Sequence, residues 1–201
     1  MINYWAFTNN VNDSISTAHL YDGVNAYLTH DRFGYKYLAL RLSLGYYCVP
    51  PGVYFNSSFT ASVWVNVKSY TKYARVFDFS EYGYNDNVVF VLFRNGITAS
   101  YFSILYGTNV KTELNCQSSL VLDEWIHLAV TFDGVQINFY YNGISSGSIL
   151  QSNYPKNVVR YVNYIGKSNW AQDELANAIY DELRIYNRAL TQNEIYDLMY
   201  F

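Results

Sequence analysis

Between Trp125 and Gly143 the chain reads WIHLAVTFDGVQINFYYNG, two alternating segments joined by Asp133-Gly134 and ended by Asn142-Gly143. Asp-Gly and Asn-Gly are the pairs that accept the two positive φ angles of a type I′ turn. Flanked by alternating apolar residues, they predict consecutive hairpins and therefore an antiparallel sheet. Strand signals then recur almost without a break: Asn3–Phe7, Leu38–Leu44, Phe59–Val67, Val76–Phe79, Val88–Arg94, and, beyond an Asn95-Gly96 turn, Ile97–Tyr106. Val110–Asn115, Ile144–Leu150, Val162–Gly166 and Ala178–Tyr186 complete the series. In FTASVWVNV the alternation puts Phe59, Ala61, Val63, Val65 and Val67 on one face and Thr60, Ser62, Trp64 and Asn66 on the other.

One helix is predicted, at the end. Thr191-Gln-Asn-Glu194 is a capping box, after which Ile195, Leu198 and Met199 recur at helical spacing. No Pro/Gly/Ser linker, charge run or fixed-period repeat divides the chain, so residues 1–201 read as one domain. About a dozen antiparallel strands need a barrel or two stacked sheets to bury their faces. Long strands with tight turns favour an all-β, two-sheet sandwich.

Composition narrows the function classes. Hydrophobic residues make up 51% of the 201, which excludes a disordered chain. Charged residues reach only 14% with a net charge of −3, giving no electrostatic footprint for nucleic acid or an anionic membrane. No run of about 18 apolar residues exists, so no transmembrane helix is expected. The N-terminus lacks the basic and apolar regions of a signal peptide; either the chain is intracellular or such a peptide lies outside it. The acceptor triplets at Asn12 and Asn56 point toward N-glycosylation and secretion. Cys48 and Cys116 can form one disulfide or stand as buried thiols, and their spacing suits no zinc site. The 23 tyrosines fit half-buried pleated faces, and an apolar ring with a polar tip also suits a surface that meets sugars or a partner.

Several segments together resemble a known family. Trp125–Gly134 is similar to the W-x-H-x-A-x-T-x-D-G strand of laminin-G-like, concanavalin A-like jelly rolls. Phe139–Gly143, Tyr164-Ile-Gly166 and Tyr180–Thr191 (YDELRIYNRALT) resemble the strands that follow it. Upstream, Tyr4–Phe7, Asn12-Asp13, Asp31–Gly34 and Phe59–Val65 fall in the family's order. The resemblance implies a jelly roll of two antiparallel sheets with about twelve to fourteen strands. It implies a structural calcium ion held by Asp13 and Asp181 with loop carbonyls, since a hard cation takes oxygen ligands. It also implies a ligand-binding rim on loops at one end of the sandwich.

Two loops carry suitable side chains. Ser80–Asn87 offers Glu81, Tyr84, Asp86 and Asn87; Ser168–Asn177 offers Asn169, Trp170 and Asp173. An aromatic platform beside planar amides and carboxylates is what sugar recognition needs. The superfamily also contains laminarinase-like glycosidases, whose retaining members place two carboxylates about 5 Å apart on one strand face. Here Asp123-Glu124 and Asp181-Glu182 are adjacent and point to opposite faces, and no E-x-D-x-E strand exists. His19, His30 and His127 stand apart from any nucleophile signature. The expectation is a non-catalytic extracellular module that binds a glycan or glycoprotein through Asp86, Asn87, Asn169, Trp170 and Asp173. The alternative is a protein–protein or self-association module whose working surface is its tyrosine-rich faces.

Overall fold

A computed structural model of the protein describes residues 1–108, 110–150 and 154–200. Thirteen strands lie among them: β1 (Asn3–Trp5), β2 (Tyr21–Thr29), β3 (Ala39–Val49), β4 (Phe59–Val67), β5 (Arg75–Ser80), β6 (Val88–Val91) and β7 (Ala99–Tyr106). Then come β8 (Val110–Ser119), β9 (Trp125–Phe132), β10 (Gln136–Tyr141), β11 (Ile144–Leu150), β12 (Val162–Ile165), β13 (Ala176–Tyr186) and a short helix, α1 (Gln192–Asp197). The strand ladders are antiparallel and follow the order β11-β10-β9-β4-β13-β3-β12-β5-β6-β7-β8, with β1 on β13 and β2 on β3.

The apolar halves of the alternating strands dictate how this path folds over. Phe59 of β4 lies 5.6 Å from Phe102 of β7, and Phe90 of β6 lies 5.6 Å from Phe139 of β10. Strands distant along the path therefore face each other, and the sheet forms two stacked layers around a phenylalanine core. The ends of the path also meet: on β11 the Ser146 hydroxyl accepts from Gln117 N of β8 at 3.2 Å and lies 3.1 Å from Ser118 Oγ. This is the expected jelly-roll sandwich.

Local chemistry departs from the sequence pattern at four places. Asn142 and Gly143 both have positive φ, 48° and 74°, and close β10 onto β11 as a two-residue turn. At Asp133-Gly134 only Gly134 is positive, at 103°. The Asp133 carboxylate instead accepts from Val135 N and Gln136 N, building a three-residue Asx-type loop. On β13, Asp181 faces Trp64 while Arg184 faces Ser62, so one extra residue bulges out and Glu182 takes φ 56°. The bulge changes the face assignment: Ala178 and Tyr180 point to the core before it, Leu183 and Ile185 after it. Asp181 therefore does not share a face with Leu183.

The third departure is β2, which carries no alternation because it is an exposed outer strand with kinks at Asp22 and Asn25. The fourth is the polar side of β4, where Thr60, Ser62, Trp64 and Asn66 are buried like the apolar side. Two things cover this side of the sheet. The capping box forms as expected, and Ile195 and Leu190 pack on Ala129 and Tyr140. Beside them, Arg32 lies 5.2 Å over the Trp64 ring and pairs with Asp181 at 2.7 Å. Cys48 on β3 and Cys116 on β8 are free thiols, so the disulfide alternative does not hold.

Candidate functional site

The end of β5 organises the site. Asp78 is fully buried; its carboxylate accepts from Asn87 Nδ2 at 2.7 Å, Asn169 Nδ2 at 2.9 Å and Asn169 N at 3.0 Å. Arg75 Nε stands 3.7 Å away. Burial pushes this carboxyl above its ordinary range, while the Arg75 charge and the Asn169 and Asn87 amides oppose that shift. The two loops singled out in the sequence are thus tied to one anion and lie side by side. Tyr84 of one is 5.4 Å from Trp170 of the other, ring centre to ring centre.

The knot that joins them uses up three of the expected ligand residues. Asn87 is buried, donating to Asp78 and Gly83 O. Asp86 is buried too; it accepts from Gly107 N at 2.6 Å and Lys156 Nζ at 2.8 Å, and its carbonyl accepts from Arg160. Asn169 spends its amide on Asp78 and on Val162 O. These three side chains position the loops. Trp170 and Asp173, by contrast, stand on a cavity of 310 Å³ over the outer face of β5–β8.

Strand register builds the floor of that groove. Val89, Ser103 and Glu113 form one cross-strand row over β6, β7 and β8, and Tyr101 pairs with Val91 in the next. Val89, Val91, Tyr101, Leu105 and Trp170 make an apolar cluster separate from the sandwich core. Polar groups ring it. Arg75 Nη2 donates to Asp173 at 2.8 Å and to Ser168 Oγ at 2.9 Å, while Ser168 accepts from Trp170 N and donates to Asp173 at 2.7 Å. Glu113 is ion-paired with Arg94, whose guanidinium lies 4.3 Å over the Tyr101 ring. Burial raises the Tyr101 phenol's pKa, opposed by Arg75 and Arg94, which keeps it a neutral hydroxyl. Flat rings beside hydroxyls, a carboxylate and an amide from Gln172 can bind a polyol by stacking and hydrogen bonds. Arg75, Tyr101, Ser103, Glu113 and Gln172 escaped the sequence reading. The period-2 pattern of Tyr101, Ser103 and Leu105, opposite core Phe102 and Ile104, was the available signal.

The metal proposal fares differently. Asp13 accepts from Asn3 Nδ2 and Ser16 Oγ at 2.6 Å each, and from the backbone N–H groups of Tyr4, Ile15 and Ser16. Burial raises its pKa, but these donors outweigh burial and hold the carboxyl below its usual range. Asp181 shares none of these partners and faces the Arg32 guanidinium. Calcium needs about six to eight oxygens around it, whereas Asp13 is engaged by five protein donors and Asp181 is paired with a cation. No group of three or more His, Cys, Asp or Glu among the described residues could hold a metal. The donor set does not fit calcium. Asn12 and Asn56 are exposed.

Comparisons with known proteins agree with the architecture. A profile of the laminin-G type in the concanavalin A-like lectin/glucanases superfamily matches residues 43–196. Domain 4 of an extracellular arabinanase from Geobacillus stearothermophilus, solved with arabinotriose, superposes with a TM-score of 0.80 at 20% identity, covering 98% of this chain and 97% of that one. The binding domain of Paraclostridial Mosquitocidal Protein 1 gives 0.73 at 15% identity over 98% of this chain and 51% of that one. A botulinum neurotoxin DC binding domain in complex with SialylT gives 0.71 at 13%, over 99% and 50%. The chain thus spans about half of each toxin binding domain. No curated protein matches it in sequence. With the profile spanning most of the chain and the sandwich closing as that profile requires, the protein belongs to the laminin-G-like family of the concanavalin A-like lectin/glucanase superfamily.

Proposed function

We propose that the protein is a non-catalytic carbohydrate-binding module whose site is the groove under Trp170. One observation carries this reading: Trp170 and Tyr101 flank an apolar floor whose rim holds Ser103, Asp173 and Gln172. A sugar presents the matching surface, an apolar ring face edged with hydroxyls. The arabinotriose complex of the similar arabinanase domain supports the ligand class. Both groove carboxylates are ion-paired, Asp173 with Arg75 and Glu113 with Arg94, which supports binding over acid–base chemistry. An extracellular location and attachment of glycans at exposed Asn12 and Asn56 belong to the same reading.

The test is a glycan array followed by calorimetry on the best ligand. Trp170→Ala should weaken binding at least about tenfold, roughly 1.4 kcal/mol, with an unchanged melting temperature. Equal affinity in the variant would remove the groove from the reading. A second reading, self-association, is favoured by one observation: β2 and the segment after it expose Tyr27, Phe33, Tyr35 and Tyr37. Concentration-dependent dimerisation without glycan binding would select it.

A further inference from the structure

Two ring couples, not one, join the Ser80–Asn87 loop to the segment that starts at Tyr161 and runs through β12 into the Ser168–Asn177 loop. Tyr84 and Trp170 form the first, with ring planes inclined by 34°. Tyr82 and Tyr161 form the second, centroids 5.4 Å apart and nearly parallel at 17°. Each couple takes one ring from each segment. Gly83, at φ 63°, separates Tyr82 from Tyr84, and the hairpin is closed by Glu81 N to Asn85 O at 3.0 Å and Asn85 Nδ2 to the Glu81 carboxylate at 2.7 Å. On the facing segment, Asn169 Nδ2 reaches Val162 O, the residue after Tyr161, at 3.3 Å. The buried knot of Asp78, Asn87 and Asn169 therefore holds both couples on the same anchor. Tyr82 remains 64% exposed and Tyr161 49%, so the second couple adds little to the core. Exposed rings held one residue from Tyr84, which itself meets the groove's Trp170, are binding surface already ordered before a ligand arrives.

The charges nearby select the ligand further. Arg75 is shared by Asp173 and Asp78 and Arg94 is paired with Glu113, so each groove arginine already has a carboxylate partner. Arginines already paired and largely buried offer no pull on an anion and give little salt dependence. We propose that the site takes a neutral, linear oligosaccharide long enough to lie on Trp170 and on the Tyr82–Tyr161 couple together. This rests on the groove being a sugar site and adds the class of sugar and a second platform.

The experiment measures affinity for mono-, tri- and hexasaccharides of arabinose, xylose and glucose, with sialyllactose as the charged probe, at low and high sodium chloride. In at least one neutral series the wild type should gain about tenfold or more from mono- to hexasaccharide, with no salt dependence. Tyr82→Ala with Tyr161→Ala should shrink that gain below about threefold, while the Phe pair, which keeps both rings, should retain it. Trp170→Ala should lose binding at every length. A gain that survives the double Ala variant, or a preference for sialyllactose, overturns the proposal while leaving the groove as a sugar site. Binding of none of these probes, with none on a glycan array, overturns both.

Discussion

Single residues show most sharply how burial decides chemistry. His127, in the W-x-H segment of β9, lies fully buried against Trp64 at 5.3 Å. Burial first, and then the charges of Arg184 and Arg32, push its pKa down to about 3, so the ring is neutral and structural. Asp181 moves the other way. Burial and the neighbouring Glu182 push its carboxyl up to about 7 against the pull of Arg32. A folded-state pKa above the unfolded one means the folded form holds the proton more tightly. The stability it contributes is full below pH 4 and is lost as pH rises through 7. Urea unfolding at pH 5 and pH 8 should therefore show the wild type less stable at the higher pH by an amount on the order of 2 kcal/mol from this group, and Asp181→Asn should lose most of that difference. Equal pH slopes in the two proteins would refute the assignment. Trp170 and Asp173, chosen from the sequence as rim residues, line the groove. Asp86 and Asn169 have the same residue character, but they bond groups far along the chain, at Lys156 and Asp78, and no local pattern reveals that.

At the scale of elements, turns and strands were readable where their chemistry is local. Asn142-Gly143 made the expected turn, and Thr191 with Glu194 made the expected cap. β2 was unreadable because an exposed, kinked outer strand needs no alternation. The β13 bulge was unreadable because it adjusts the ladder to β4 and leaves no mark in YDELRIY. The most consequential element-level contact is the Asp78 knot, which makes two loops behave as one. Asp78→Ala removes one of the two carboxylates beside buried Arg75, leaving it Asp173, and orphans the Asn87 and Asn169 donors. The loss should be about 3–5 kcal/mol, or on the order of 10 °C in melting temperature, together with glycan binding. A variant that melts within 2 °C of wild type and still binds would show that the loops are ordered independently.

For the whole molecule, stability comes from the phenylalanine core between the layers and from the buried polar side of β4, with no ion in the account. Melting in EDTA and in millimolar calcium should therefore give the same temperature, because a ligand of the folded state alone would raise it by mass action. A rise of several degrees with calcium would restore a metal site to Asp13 or Asp181. The sequence by itself determined most of the strands, the antiparallel class, the family and the chemical character of the rim, since alternation, turn pairs and capping act within a few residues. Only the tertiary structure decided which rim residues line the groove, that the two loops share one buried carboxylate, and that the carboxylates expected to hold calcium are engaged by protein donors and by Arg32. Those outcomes depend on which distant strands are brought together, and burial then sets which polar groups must find partners inside and which remain free to bind.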